Sequence, residues 1–204
     1  MNRGAMSTVR ACFLAVSLAL ASFAAGCGSR PSAADAPLAG SGIGGPFELV
    51  DSSGKTVRWS DFDGQYRIVY LGFTYCPDAC PTDLARSGAG LRMFEAEHPE
   101  LGAKVQPIFI SVDPERDSPA VVGEFVSNFH PRLIGLTGTP AQVEGAVAAF
   151  KVFAEKAPPD DDGNYMVNHS TVTYLFDPDG QPLATLPTDE GAEAVAAELE
   201  RWVS

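Results

Sequence analysis

The sequence has no cluster of basic residues. Its 204 residues include 14 Lys and Arg against 26 Asp and Glu, so the formal net charge is −12 at pH 7. Proteins that bind nucleic acid neutralise phosphates with clustered cations, and this chain offers none. We therefore predict no nucleic-acid partner. The negative charge favours solubility and, more weakly, cationic partners or metal ions.

The sequence also lacks an apolar run of the ~20 residues that a membrane-spanning helix needs. Residues 11–25 form a shorter uncharged run that follows two arginines and ends at Ala24-Ala25-Gly26-Cys27. This ending resembles a lipobox, although Ala24 stands where such motifs usually have Leu. We predict a lipoprotein-type signal peptide at residues 1–26, lipidation at Cys27 and a membrane-anchored, extracytoplasmic domain in the periplasm or at the cell surface. Signal cleavage without lipidation and retention as a short membrane anchor are the alternatives.

Few residue types other than Gly, Ser, Ala and Pro occur between this leader and the first apolar strand. We therefore predict a flexible tether at residues 27–45. A chain of 204 residues then leaves room for one domain, which we place at residues 46–204. With 45% hydrophobic and 20% charged residues in the chain, that domain can bury a core.

Cysteine is scarce, with four residues in the whole chain. Cys12 and Cys27 belong to the leader and the lipidation motif, so Cys76 and Cys80 are left for the folded domain. An oxidising compartment would permit a structural disulfide between them. However, a loop this short constrains the unfolded chain very little, and reactive or metal-binding chemistry explains the pair better.

Alternating apolar segments and turn signals predict an α/β fold of thioredoxin type. We expect an N-terminal β-hairpin, a central sheet flanked by helices and a closing hairpin. The predicted strands are residues 47–59 (the first hairpin), 67–75, 105–112, 133–136, 170–176 and 182–186. The predicted helices run from the cysteines to about residue 97 and over 120–129, 141–150 and 190–202, and residues 155–164 are predicted to be an acidic loop.

Cys76 and Cys80 lie at the predicted junction between a buried strand and a helix. A helix N-terminus presents free N–H groups and a positive dipole end, which stabilise thiolate over thiol. Residues i and i+4 share a helix face, so the two sulfurs can converge on one ion or join in a disulfide. The spacing therefore leaves both metal binding and redox chemistry open.

His169 is the third candidate. His98 and His130 each precede a proline, and we expect both to be surface turn residues. In a thioredoxin-like topology, the turn that enters the third central strand lies beside the cysteine pair. Here that turn reads Asn168-His169-Ser170. A nitrogen ligand therefore stands where a redox enzyme of this fold holds its substrate-positioning proline.

Three segments of the sequence resemble the conserved blocks of the Sco/SenC copper proteins. They are YLGFTYCPDACPT at residues 70–82, ISVDPERDSP at residues 110–119 and YMVNHSTVTYLFDPDG at residues 165–180. The resemblance covers the chain from about residue 47 to its end. It departs from the family pattern at Asn168, where Asp is frequent, and this change removes no ligand.

The resemblance implies a thioredoxin-like fold with one copper ion per chain, held as Cu(I) or Cu(II) by Cys76, Cys80 and His169. Two soft thiolates and an imidazole suit copper, whereas structural zinc takes four tetrahedral ligands. Of the neighbouring acids, Asp78 is expected to lie in solvent. Asp113 is expected either to support the site or to cap a turn.

The same resemblance implies a copper metallochaperone that helps to assemble the dinuclear copper centre of cytochrome c oxidase, and it leaves open whether the chain is also an enzyme. Its partners are then a copper donor protein, a copper-accepting oxidase subunit and the membrane, through the lipid at Cys27. The alternative is a thiol–disulfide oxidoreductase in which Cys76 and Cys80 reduce cysteines of the oxidase or of other exported proteins. A peroxiredoxin-like peroxidase fits less well, because Thr74 lies two residues before Cys76 where that motif has three. A copper sensor would need the same ligands.

Overall fold

The computed structural model describes residues 32–204, in which strands and helices alternate. The strands are β1 (Glu48–Val50), β2 (Thr56–Arg58), β3 (Tyr66–Gly72), β4 (Val105–Ser111), β5 (Ile134–Leu136), β6 (Ala154–Lys156), β7 (Val167–His169), β8 (Thr173–Phe176) and β9 (Pro182–Leu186). The helices are α1 (Ala79–Glu97), α2 (Pro119–Val126), α3 (Pro140–Ala149) and α4 (Ala192–Trp202), with a helical turn at Pro99–Gly102 after α1. Short 3-10 turns lie at Ala33–Asp35, Trp59–Phe62 and Thr188–Glu190.

The central sheet has five strands in the order β5–β4–β3–β8–β9. β3 pairs parallel with β4, and β4 pairs parallel with β5, while β8 runs antiparallel to β3 and to β9. Parallel neighbours need a crossover connection, and α1 supplies it between β3 and β4. β1 and β2 form a separate antiparallel hairpin. The predicted thioredoxin-like α/β fold, with its N-terminal hairpin and flanked central sheet, is confirmed.

β3 is buried along its whole length because both faces of the sheet are covered. Successive side chains of a strand point to opposite faces. Val69 and Leu71 therefore enter one core together with Ile108 and Ile110, under α3 and the first hairpin. Ile68 enters a second core under α1 and α4. The loop that follows β3 is thus attached to the fully buried central strand of the sheet.

The acidic segment predicted as a loop at residues 155–164 begins within a strand. β6 pairs antiparallel with β7, and the register places Ala154 opposite His169 and Lys156 opposite Val167. Val167 is buried while its neighbours are exposed or half-buried, so one face of this small hairpin packs on the domain. Its polar composition conceals the strand, because a single apolar residue marks the buried face.

Residues 32–45 contact the domain, which differs from the flexible tether predicted for residues 27–45. Ala36 is buried, and the Leu38 N–H donates a hydrogen bond to the Leu183 carbonyl at 3.0 Å. Apolar side chains within this Gly-rich stretch find partners on the folded domain, and their burial outweighs the freedom of the small residues around them.

Gly44 packs against the domain without room for a side chain. Its φ of 86° lies in the left-handed region, and a Cβ on this residue would lie 2.6 Å from Cε1 of Phe176. The Gly44 N–H donates to the Ala149 carbonyl at 2.9 Å, and Lys151 Nζ donates to the Ser41 carbonyl at 2.6 Å. The packed part of the domain therefore begins before residue 46.

The predicted leader lies outside the described residues. The signal peptide at residues 1–26, Cys12 and the lipidation site Cys27 accordingly remain predictions. Within residues 32–204, no helix combines the length and the apolar composition that crossing a bilayer requires.

Removal of residues 32–45 should destabilise the domain. Full burial of a Leu side chain contributes about 1.5–3 kcal/mol, and this segment buries Ala36 and half-buries Leu38 and Ile43. We expect the free energy of unfolding of a chain of residues 46–204 to be about 2–4 kcal/mol below that of residues 32–204. Urea denaturation followed by tryptophan fluorescence measures the difference, and equal stabilities would contradict the packing of this segment.

Candidate metal centre

The two cysteines flank the start of α1. Cys76 lies in the loop after β3, and Cys80 is the second residue of the helix. Their spacing predicted that they share a helix face. They do not, because the helix begins only at Ala79 and Cys76 lies before it. A turn brings them together instead: the Cys80 backbone N–H donates to Cys76 Sγ at 3.4 Å. Both cysteines are free thiols.

His169 reaches this pair from the end of β7. Its Nε2 lies 3.3 Å from Cys80 Sγ. Its Nδ1 lies 2.9 Å from the Ser170 carbonyl oxygen. A carbonyl only accepts hydrogen bonds, so Nδ1 carries the ring proton and the Nε2 lone pair faces the sulfur. This second partner gives the imidazole the tautomer that a metal ligand needs.

The three ligand atoms all lie within 4.8 Å of one another. Cys76, Cys80 and His169 could therefore hold one metal ion, and their two sulfurs and one nitrogen form a soft donor set. Asp78, between the cysteines, is exposed, as predicted. The structure thus brings together the three residues that the sequence singled out.

Two aromatic rings orient the imidazole. The ring planes of Tyr70 and Phe73 stand at 88° and 89° to that of His169, with centroids 6.2 Å and 5.6 Å away. Such edge-to-face packing is favourable and limits rotation of the ring. Gly72, between the two aromatic residues, leaves room for the Cys80 sulfur, because a Cβ there would lie 2.8 Å from Cys80 Sγ.

Loss of hydration keeps the Cys80 thiol and the His169 imidazole uncharged. It raises the pKa of the Cys80 thiol to about 12 and lowers the pKa of His169 below its ordinary value. The thiolate expected at a helix N-terminus is therefore not favoured at Cys80, where loss of hydration raises the pKa of the thiol. A metal ion that binds here must displace the thiol proton.

A buried acid behind the site was not predicted. The Tyr70 hydroxyl donates to Asp83 Oδ2 at 3.2 Å, and burial raises the pKa of Tyr70 well above its usual range, so the hydroxyl stays protonated. Asp83 lies three residues after Cys80, and this helical spacing is the signal that could have identified it.

Asp117 anchors the beginning of the cysteine loop. This fully buried carboxylate accepts hydrogen bonds from the Thr74 N–H at 3.1 Å and from the Thr74 hydroxyl at 2.6 Å. It also accepts one from the Ser111 hydroxyl at 2.5 Å. The loop is thereby fixed to the end of β4. No local pattern marks Asp117, because its partners are distant in sequence.

Asp113 reaches the histidine side of the site without touching a ligand. Its carboxylate accepts from Arg116 Nε at 2.6 Å and from the Tyr165 hydroxyl at 2.8 Å. Of the two roles expected for Asp113, the supporting one matches these contacts, because Tyr165 precedes the strand that carries His169.

The other two histidines lie away from these ligands. His98 ends α1 and is half-buried. His130, expected on the surface, is only 3% exposed, so that expectation is wrong. Its Nε2 lies 3.3 Å from Glu95 Oε2 and its Nδ1 accepts from the Arg132 N–H. These two partners account for its burial.

Comparison with known proteins gives one consistent result. The model of the family described as SCO1/SenC matches residues 35–204. The mitochondrial SCO2 homologue of Mus musculus is 41% identical over 160 residues, which cover 78% of this chain and 62% of that protein. Mitochondrial SCO1 of Saccharomyces cerevisiae is 41% identical over 140 residues, which cover 68% of this chain and 46% of that protein. The chain thus spans less than two thirds of either relative.

Solved structures match as closely. The copper-bound structure of Bradyrhizobium japonicum ScoI superposes with a TM-score of 0.71 at 39% identity, and the match covers 79% of this chain and 99% of that one. The copper-bound structure of yeast Sco1 gives a TM-score of 0.69 at 37% identity, covering 78% and 86% of the two chains.

Gly72→Ala should disrupt the site. The added Cβ would lie 2.8 Å from Cys80 Sγ and 2.8 Å from Tyr70 Cε1, so the sulfur or the Tyr70 ring must shift from its present position. We expect Cu(I) affinity, measured by chelator competition, to fall at least about tenfold. Gly145→Ala in α3 is the matched control, because its Cβ would meet nothing within 4 Å. Unchanged affinity in Gly72→Ala would contradict this packing.

Alkylation should reach Cys76 before Cys80. Cys76 is half-buried, whereas Cys80 is fully buried with its thiol pKa raised to about 12, and only thiolates react. Iodoacetamide at about pH 8 should therefore label Cys76 first, and a moderate rise in pH within the range where the protein stays folded should accelerate Cys80 as its thiolate population grows. Peptide mass spectrometry of the reduced protein measures both rates. Equal rates at the lower pH would argue against the burial of Cys80.

Proposed function

Because the chain belongs to the SCO1/SenC family, we propose that it is an extracytoplasmic copper metallochaperone for the dinuclear copper centre of cytochrome c oxidase. Cys76, Cys80 and His169 hold the copper, one ion per chain. The observation that carries this proposal is the convergence of their three ligand atoms within 4.8 Å, with the imidazole in the tautomer that leaves Nε2 free.

The donor set favours copper over zinc. Two thiolates and one imidazole suit Cu(I), and they hold Cu(II) when water or another ligand joins. A structural zinc site takes four tetrahedral ligands, and among the described residues no other Cys, His, Asp or Glu belongs to this group of ligand atoms. The copper-bound states of two solved relatives support the same choice.

The exposure of the ligands suits transfer of the ion to another protein. Cys76 is half-buried in the loop, while Cys80 is fully buried. An incoming thiolate of the acceptor therefore meets the copper from the Cys76 side, and Cys76 is the first ligand to be displaced. Cys80 and His169 then follow, and each of them returns to its neutral form. Three ligands leave the coordination open for this exchange.

The location and partners complete the proposal. The signal peptide at residues 1–26 exports the chain, the lipid at Cys27 anchors it to the membrane, and the domain works outside the cytoplasm. A copper donor protein loads the site, and a copper-accepting oxidase subunit receives the ion. The choice of the oxidase follows from the family resemblance.

Thiol–disulfide exchange is the second candidate, and the free, adjacent thiols favour it. The Cys76 thiolate attacks a disulfide of the target and forms a mixed disulfide, releasing one target thiolate. The Cys80 sulfur then attacks Cys76 Sγ, giving up its proton to His169 Nε2, 3.3 Å away, as the new S–S bond forms and the bond to the target breaks. The target leaves as two thiolates, which take up the His169 proton and one proton from solvent, and Cys76 and Cys80 form a disulfide.

His169→Ala separates the two functions. We expect this variant to bind copper more than about 100-fold more weakly, a larger loss of affinity than removal of a residue that only supports the ligands causes. Formation and reduction of the Cys76–Cys80 disulfide should continue. Chelator competition, copper analysis and thiol titration of residues 32–204 provide the measurements. The wild-type chain should bind one copper.

His98→Ala is the matched control. Ligand atoms of Glu97, His98 and Glu200 also lie within 4.8 Å of one another, so this variant removes an imidazole from a second group that could retain copper adventitiously. It should leave the stoichiometry unchanged. Full copper affinity in His169→Ala would refute the ligand assignment, and a wild-type chain that cycles its disulfide but retains no copper would favour the oxidoreductase.

A further inference from the structure

Arg116 occupies the space between the two halves of the metal centre. It lies in the segment between β4 and α2, outside both the cysteine loop (residues 73–78) and the β6–β7 hairpin. Its side chain is 20% exposed. None of its hydrogen bonds goes to a ligand, yet it contacts residues on both sides of the site.

On the histidine side, Arg116 contacts Tyr165, in the segment that leads into β7. Its Nη1 donates to the Tyr165 carbonyl at 2.9 Å, and its guanidinium carbon lies 3.6 Å from the centroid of the Tyr165 ring. Its Nε donates to Asp113, which also accepts from the Tyr165 hydroxyl at 2.8 Å. Arg116 and Asp113 thus hold Tyr165 by its backbone, its ring and its hydroxyl.

On the cysteine side, the same guanidinium lies against the loop. Its carbon is 4.7 Å from the centroid of the Tyr75 ring and 5.9 Å from that of Phe73. Tyr75 directly precedes Cys76, and the Phe73 ring packs edge-to-face with His169. Cation–π contacts of this kind are attractive, more so where water is partly excluded.

We propose that Arg116 is a positioning residue that holds the β6–β7 hairpin against the cysteine loop and thereby slows the release of copper. This inference rests on the proposed copper-binding function. The hairpin carries His169, whereas the cysteine loop and the first turn of α1 carry the two sulfurs. Separation of the hairpin from the loop therefore opens the contact between Cys80 and His169. The guanidinium opposes that separation through contacts with both segments.

The contacts require an arginine. Its planar fork makes two hydrogen bonds while its face stacks on an aromatic ring, which the compact ammonium group of lysine cannot do. Arg116 Nη2 is buried without a hydrogen-bond partner among the described residues. The side chain is therefore held chiefly by two hydrogen bonds and by the rings around it.

Arg116→Met is the principal test. It retains much of the apolar stem but removes the charge and the fork. We expect copper to dissociate to an excess of a Cu(I) chelator about 10- to 100-fold faster, the range typical for residues that orient ligands. Arg116→Lys should lie between the wild type and Arg116→Met, and it keeps the test usable should the Met variant fold poorly.

A double-mutant cycle distinguishes positioning from general stabilisation. If Arg116 acts through His169, adding Arg116→Met to His169→Ala should leave the residual two-thiolate binding of Cu(I) unchanged. A residue that merely stabilises the fold would weaken binding equally with and without His169, and that additive result would overturn the proposal.

Metal-free protein supplies an independent measurement. Amide hydrogen exchange of residues 153–170 should be faster in Arg116→Met, while exchange in β3 and α1 stays unchanged. Arg132→Met is the matched control, because Arg132 donates to Glu95 and to the carbonyls of Gly102 and Val105, away from the ligands. It should alter neither exchange at residues 153–170 nor copper release.

The outcomes separate this inference from the proposed function. A wild-type chain that retains no copper would contradict the proposed copper-binding function and also the role of Arg116 that rests on it. A wild-type chain that binds copper but releases it at the same rate as Arg116→Met, with identical hydrogen exchange at residues 153–170, overturns the role of Arg116 alone.

Discussion

The metal centre depends on two neighbouring uncharged groups, one fully buried on Cys80 and one half-buried on His169. The Cys80 thiol and the His169 imidazole are 3.3 Å apart. Loss of hydration raises the pKa of the thiol and lowers the pKa of the imidazole, so each group favours its neutral form. In their neutral forms the two groups avoid the penalty of a buried charge. A thiolate forms there only when a cation arrives to compensate it. Loss of hydration is thus the main cause that keeps the thiol and the imidazole neutral.

Positioning of these groups relies on carboxylates that face inward. Asp83, Asp113 and Asp117 are 8%, 4% and 0% exposed. Each accepts a hydrogen bond from a residue beside the ligands: Asp83 from Tyr70, Asp113 from Tyr165 and Asp117 from Thr74. Part of the acidity of the chain is therefore structural. These acids fix the walls of the pocket, and the walls in turn fix the ligands.

The sequence predicts the elements whose signal is local. Continuous apolar runs mark β3 and β4, and cysteine spacing with a histidine at the entry to β8 identifies the three candidate ligands. Contacts between distant segments escape such patterns. The burial of His130 depends on Glu95, which lies 35 residues away, and the role of Asp117 depends on Thr74. The packing of residues 32–45 was concealed by their small-residue composition, since a few apolar side chains decided where the segment lies.

The turn between the cysteines and the strand before them differ in how much change they tolerate. Pro77 and Asp78 are exposed, and the Asp78 side chain makes no capping hydrogen bond to α1. Gly72, by contrast, has no room for a methyl group beside the Cys80 sulfur. On steric grounds a larger side chain therefore meets little resistance at Pro77 or Asp78, whereas it meets a direct clash at Gly72, a residue that contributes no donor atom. A search pattern built only on the cysteines and the histidine omits this steric requirement beside the Cys80 sulfur.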